Sequence, residues 1–163
     1  MPDKDTIRRA RADKREGKAP STQAGEFVHE EIDHIREGKH GARSTKQAIA
    51  IGLSKARRAG VNLPPPANGR ASASTRQQAE RDLDQAKSHA KPSAKRSRAM
   101  REKLKHEGHS AASHAALSRQ ATTAAKSRSS ASRKAAAQKA VKTKGPAGRH
   151  RAAVKAAATR ASQ

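Results

Sequence analysis

Large apolar side chains are few in this chain and unevenly placed. Leu, Ile, Val and Phe number 15 among 163 residues, and nine of the 15 fall between Phe27 and Leu63. Burial of such groups is the main force that offsets the cost of ordering a chain, about 1–2 kcal/mol per backbone residue. A highly charged chain in which these residues fall below about 20% tends to stay unfolded. The expected fold class is therefore mostly α with extensive disorder: a small helical hairpin followed by low-complexity basic segments that are helical only in part.

The hairpin is read from two periodic runs. In AGEFVHEEIDHIREG, Ala24, Val28, Ile32 and Ile35 recur at helical spacing and share one face, with Phe27 beside them. Glu26, Glu30, Asp33 and Glu37 form a second row opposite. That row reads as a solvated face. The competing reading has it docking the chain's own basic segments or those of a neighbouring copy. The second helix starts at a capping box, with Ser44 as N-cap and Gln47 at the third helical position. Its apolar face is Ile49, Gly52, Leu53 and Ala56, where Gly52 admits close approach of the first helix. Gly60 suits the C′ position, Val61 the contact that follows it, and Pro64 to Pro66 end the helix. Ile51 lies off the stripe and is either exposed or a point of self-association.

The expected organisation is a disordered basic arm (1–23), the hairpin (24–63), a Pro-rich linker (64–74), charged helical segments (75–108) and a low-complexity tail (109–163). Pro92 ends one charged segment, and Ser93 is placed to cap another through Met100 and Leu104. The tail holds 12 basic residues and 19 alanines and no acidic residue, and Lys144-Gly145-Pro146 interrupts it. Like charges at helical spacing oppose one another, so helix is expected there only once phosphates neutralise the charge.

The charge is the strongest functional sign. Lys and Arg total 37 against 14 Asp and Glu, a formal net charge of +23. Such an excess is the footprint of a polyanion binder. Phe27 is the lone aromatic, which removes the base-stacking platforms of single-strand and RNA readers. No Cys is present, so disulfides and thiolate metal sites are excluded. No glycine pattern forms a phosphate loop, and nine large apolar residues build no water-excluding pocket. The expectation is no enzyme, no cofactor and no small-molecule substrate. His29 and His34 flank Glu30, Glu31 and Asp33, but five residues apart they miss the spacing of a zinc-protease helix, so no metal site is expected. His106, His109 and His114 read as added cationic capacity.

What remains is counterion release by Lys and Arg on phosphates, which carries essentially all non-specific binding. The residues expected to do this are Lys46, Lys55, Arg57 and Arg58 of the hairpin and Lys91, Lys95, Arg96, Arg98, Arg101, Lys103 and Lys105 of the central cluster. Those of the tail are Arg119, Lys126, Arg128, Arg133, Lys134, Lys139, Lys142, Lys144, Arg149, Arg151, Lys155 and Arg160. DNA ranks ahead of RNA as partner, with self-association through the hairpin also open. The rival function is a protein-interaction hairpin with a solubilising or RNA-associated tail. An anionic membrane surface ranks below both, because the tail's apolar positions are nearly all Ala. With no spanning stretch and no signal-type apolar run, the expected compartment is the cytoplasm, at the nucleoid.

Two resemblances accompany this reading. KHGARSTKQAIAIGLSKARRAGVNLPPP (39–66) resembles a small domain of uncharacterised bacterial proteins, through its Lys-His-Gly, its Ser-x-Lys-Gln-Ala-Ile-Ala-Ile-Gly-Leu-Ser core and its Ala-Arg-x-x-Gly ending. That implies a helical hairpin and no particular reaction. The tail resembles the Ala/Lys-rich arms of bacterial histone H1-like proteins and linker histones, which implies DNA compaction without base recognition.

Overall fold

The structure, a computed structural model, describes residues 2–69, 71–88 and 93–161. Among these, seven α-helices and one 3-10 turn cover most of the chain, and the expectation of extensive disorder is overturned. The helices are α1 (Lys4–Arg15), α2 (Pro20–Arg36), α3 (Thr45–Arg58), α4 (Ala73–Ser88), α5 (Ala94–Lys105), α6 (His114–Lys126) and α7 (Ser130–Ala161), with the 3-10 turn at Ser110–Ala112. By internal contacts the chain divides into two compact units, Met1–Gln120 and Ala121–Gln163.

The expected hairpin is present as α2 against α3. Ala24, Phe27, Ile32 and Ile35 are buried, as the stripe required. Gly52 meets α2 so closely that an added Cβ would lie 2.7 Å from Val28 Cα. Ser44 caps α3 by accepting from Gln47 N–H at 3.2 Å, and Gln47 Oε1 reaches back to Arg43 N–H at 3.0 Å, one residue beyond the usual reciprocal contact at the N-cap. At the far end, Val61 N–H bonds Ala56 O (3.1 Å) and Gly60 N–H bonds Arg57 O (2.9 Å), and Val61 packs in the same cluster as Ala56.

Two of the expected boundaries are corrected. Residues 1–23 are not a disordered arm: α1 packs on α2, with Ala10 buried and Ile7 half-buried beside Phe27, Ala24, Ala56 and Val61. Helix α2 begins at Pro20 rather than at 24, with proline at the first turn, where its missing N–H costs no helical bond. The charged segments expected over 75–108 are also tied to the hairpin. Helix α4 packs on α3, and the stretch after α5 docks on the α2–α3 loop. In that docking Gly41 N–H bonds Leu104 O (2.8 Å), Ala42 N–H bonds Gly108 O (3.0 Å), Arg36 Nε donates to Ala112 O (3.0 Å) and Thr45 Oγ1 donates to Ala111 O (2.7 Å).

The physical reason for the added order is alanine. Among the described residues, eight of the 13 buried apolar ones are Ala, and helices faced with Ala approach closely enough to make a core without large side chains. A count of Leu, Ile, Val and Phe misses that contribution. In the tail, like-charge repulsion does not prevent helix, contrary to the expectation. Within α7, cations fall at helical-neighbour spacing in only two pairs, Lys139/Lys142 and Arg151/Lys155, while alanines supply the best helix propensity. The expected interruption is where the sequence put it: Gly145 adopts φ 61° and ψ 179° before Pro146 and kinks α7.

Candidate functional site

The cations expected to bind phosphate fall into two classes. In α3 most are engaged in holding the fold. Lys55 Nζ lies 2.5 Å from Glu31 Oε2 and 3.8 Å from Glu30 Oε1. Arg57 is buried, donating Nε to Leu63 O (3.1 Å) and Nη2 to Pro64 O (3.4 Å), and desolvation draws its pKa below the usual arginine value. Arg58 Nε donates to Asp82 Oδ1 at 2.8 Å. Asp82 is buried and also accepts from Ser54 Oγ (2.6 Å) and Gln78 Nε2 (3.1 Å), which fastens α4 to α3. The assignment of Lys55, Arg57 and Arg58 to phosphate is therefore corrected. Removing Lys55 and Arg58 from the buried carboxylates of Glu31 and Asp82, or the buried Arg57 guanidinium from its two carbonyls, costs more than an exposed contact returns. Lys46 stays exposed.

The second class is exposed. In α5, Lys95, Arg96, Arg98, Arg101, Lys103 and Lys105 all face solvent, with Lys105 pairing Glu102 at 2.9 Å. That pair holds the Glu102 carboxyl below its ordinary range. In α6, α7 and the turn between them, Arg119, Lys126, Arg128, Arg133, Lys134, Lys139, Lys142, Arg149, Arg151, Lys155 and Arg160 are exposed. Arg149 and Arg160 each donate Nε to a carbonyl four residues back. Lys91 and the Lys144 side chain lie outside the described residues.

One cationic surface was missed. Lys4, Arg8, Arg11 and Arg15 are exposed at spacings of four, three and four, a single stripe along α1. The signal was legible once 4–15 is read as a helix; reading the segment as an arm without structure hid it.

The acidic row is not a uniformly solvated face. Glu26 takes the Arg9 guanidinium at 2.5 Å, and this bond raises the Arg9 pKa. Asp33 pairs with His29 (2.9 Å), and Glu37 with Lys39 (2.9 Å). Glu30 is buried, although it was expected to face water. The adjacent Glu31 is fully buried. Asp3 N–H donates to Glu30 Oε2 at 3.3 Å, but Glu30 Oε1 and both oxygens of Glu31 have no hydrogen bond. Two imidazoles face these carboxylates: His40 Nε2 lies 3.4 Å from Glu31 Oε1, and His34 Nε2 lies 4.0 Å from Glu30 Oε1 and 3.5 Å from Asp3 Oδ2. The two rings meet edge to face with centroids 6.2 Å apart. A cleft of about 390 Å³ opens beside Asp3, Arg9, Glu30, Asp33, His34 and Lys39. No helix among the described residues is long and apolar enough to cross a membrane.

Residues 5–66 match a family of unknown function (DUF6496), a stretch that runs from the first turn of α1 through α3 to Pro66. The match joins α1 to the hairpin, as the packing does. No curated protein and no solved structure matches the chain.

Proposed function

We propose that the protein binds the phosphate backbone of nucleic acid, duplex DNA ahead of RNA, without reading base sequence, in the manner of a histone-like, nucleoid-associated protein. One observation carries the reading: the distribution of charge between the inside of the fold and its exposed helices. Every acidic residue precedes Gly108, and most of those described are engaged in ion pairs within Met1–Gln120. The cations of α5, α6 and α7 and the stripe on α1 therefore face solvent, with Arg8 paired to Asp5 and Lys105 to Glu102 among them. In α7 they fall all round the helix rather than on one face. That suits phosphates met along a groove or across several duplexes and does not suit a single base-reading register.

Counterion release then sets both affinity and its salt dependence. Engagement of about ten phosphates gives a slope of log K against log[salt] near −9. The test is fluorescence anisotropy of the full chain on labelled duplexes over a range of salt. The expected result is a slope of that order, near-equal affinity for scrambled duplexes, and a slope shallower by about 4–5 when Arg133, Lys134, Lys139, Lys142 and Lys155 are changed to Gln. A shallow slope, strong preference for one duplex, or tight capture of a protein with no nucleic acid would overturn the reading. The last of these would favour an interaction module.

A further inference from the structure

We infer that Glu31, His34 and His40 form a binding site for one divalent transition-metal ion of the zinc class. Each offers a ligand atom, and the three atoms lie within 4.8 Å of one another. The donor set is imidazole and carboxylate, which suits zinc and its neighbours better than calcium or magnesium.

Three independent features of the cluster point to a cation rather than to a chance gathering of side chains. The first is a buried carboxylate with an oxygen left over. Glu31 is 0% exposed, and beyond its ion pair with Lys55 it accepts no hydrogen bond, so Oε1 is left without a donor. The Lys55 ammonium neutralises it from the Oε2 side at 2.5 Å, while Oε1 faces His40. Glu30, 4% exposed, brings a second buried carboxylate whose Oε1 accepts no hydrogen bond and lies 3.8 Å from Lys55, so one ammonium serves two buried carboxylates.

The second feature is the orientation of His40. Its Nδ1 lies 3.1 Å from Gly41 O. A carbonyl oxygen only accepts, so this contact places a proton on Nδ1, and in that tautomer Nε2 is the ring's ligand atom. Metal-bound histidines are fixed in this way by a backbone carbonyl on the far nitrogen. Nε2 faces a carboxylate oxygen, which only accepts, so a cation, either a metal ion or a second ring proton, belongs between the two atoms.

Distance is the third. Metal–ligand bonds of about 2.0–2.2 Å in tetrahedral geometry place ligand atoms about 3.3–3.6 Å apart. His40 Nε2 and Glu31 Oε1 stand 3.4 Å apart. His34 closes the triangle from one turn of α2 beyond Glu31, and its side chain is largely covered.

The ion would tie the C-terminal turns of α2 to the α2–α3 loop, which itself carries the docked 104–112 stretch. Its role is thus structural: a staple in a core made mostly of alanine. Binding displaces any proton shared between His40 and Glu31 and leaves Lys55 on the other carboxylate oxygen.

The test uses the full chain, stripped with a chelator and titrated with Zn²⁺ against a chromophoric competitor, with Co²⁺ as a spectroscopic substitute. The expected result is one tight equivalent, visible bands of tetrahedral Co²⁺, and a rise in Tm on adding Zn²⁺ that Mg²⁺ does not reproduce. His34→Asn and His40→Asn should each weaken the site at least tenfold at unchanged helicity. His29→Asn and His109→Asn, at exposed rings, should leave it as it was. If the double His34/His40 variant binds as tightly as the parent, the ion sits elsewhere and the assignment falls. Absence of tetrahedral Co²⁺ bands in the parent protein overturns it without reference to any variant, leaving a proton between His40 and Glu31 as the cation.

Discussion

Replacing Gly41 with Ala tests whether the stretch after α5 truly closes over the hairpin. The α2–α3 loop meets the backbone at 107–108 so closely that a Cβ on residue 41 would lie 1.8 Å from Glu107 O, 2.3 Å from Glu107 C and 2.7 Å from Gly108 O. Those are main-chain atoms, held by Gly41 N–H on Leu104 O and Ala42 N–H on Gly108 O, and no side-chain rotation relieves the clash. The two strands of chain must separate by more than 1 Å, and both bonds go with the movement. Each is worth about 1 kcal/mol. Re-exposing Leu104, now 7% accessible, adds about 1.5–3 kcal/mol, and Ala111 and Ala112 add less. The expected cost is about 3–5 kcal/mol of docking free energy, at the upper end for over-packing. Hydrogen exchange at Gly41 and Ala42 should accelerate by about two to four orders of magnitude, and Tm should fall by roughly 10 °C or more. The same substitution at Gly25, on an exposed face of α2 with nothing within 4 Å of an added Cβ, should instead stabilise by about 0.5–1 kcal/mol. If Gly41→Ala melts and exchanges like its parent while Gly25→Ala behaves as expected, the docked geometry is wrong.

Asp82→Ala removes an acceptor of three hydrogen bonds from the α3–α4 contact and should cost about 2–4 kcal/mol by denaturant unfolding. It releases Arg58, so DNA affinity at fixed salt should hold or rise; a marked fall would mean that α4 itself carries binding. For Glu37, the Lys39 ammonium at 2.9 Å holds the carboxyl below its ordinary range. The sign follows from the folded value lying below the unfolded one: the pair is intact above the ordinary glutamate pKa and is lost as pH falls through the lowered folded value. NMR titration should therefore place the Glu37 midpoint below those of unpaired glutamates, and Lys39→Met should return it to them. An unmoved midpoint in that variant would refute the pairing.

Periodicity and capping made the hairpin legible in the sequence, because both act over four residues or fewer. The Ala24–Ile35 stripe, the Ser44 cap, the Gly60–Val61 closure and the break before Pro146 needed no knowledge of distant chain. The same local reading went astray where alanine had to be judged. Ala10, Ala79, Ala111 and Ala112 look alike in a linear sequence whether they face solvent or a neighbouring helix, and tertiary packing alone decided that they are core. The site followed the same division. The sequence determined a large excess of cations and their concentration after Gly108. Which cations are available was settled by the fold, since Lys55, Arg57 and Arg58 are indistinguishable from Lys46 in the sequence yet face Glu31, the Leu63–Pro64 carbonyls and Asp82. The meeting of Glu31 with His40 lay further out of reach. One residue belongs to a helix and the other to the loop after it, and their 3.4 Å separation depends on how that loop turns back over α2. Spacing rules for metal sites count residues along a single helix, whereas a carboxylate loses its water only when several segments close over it.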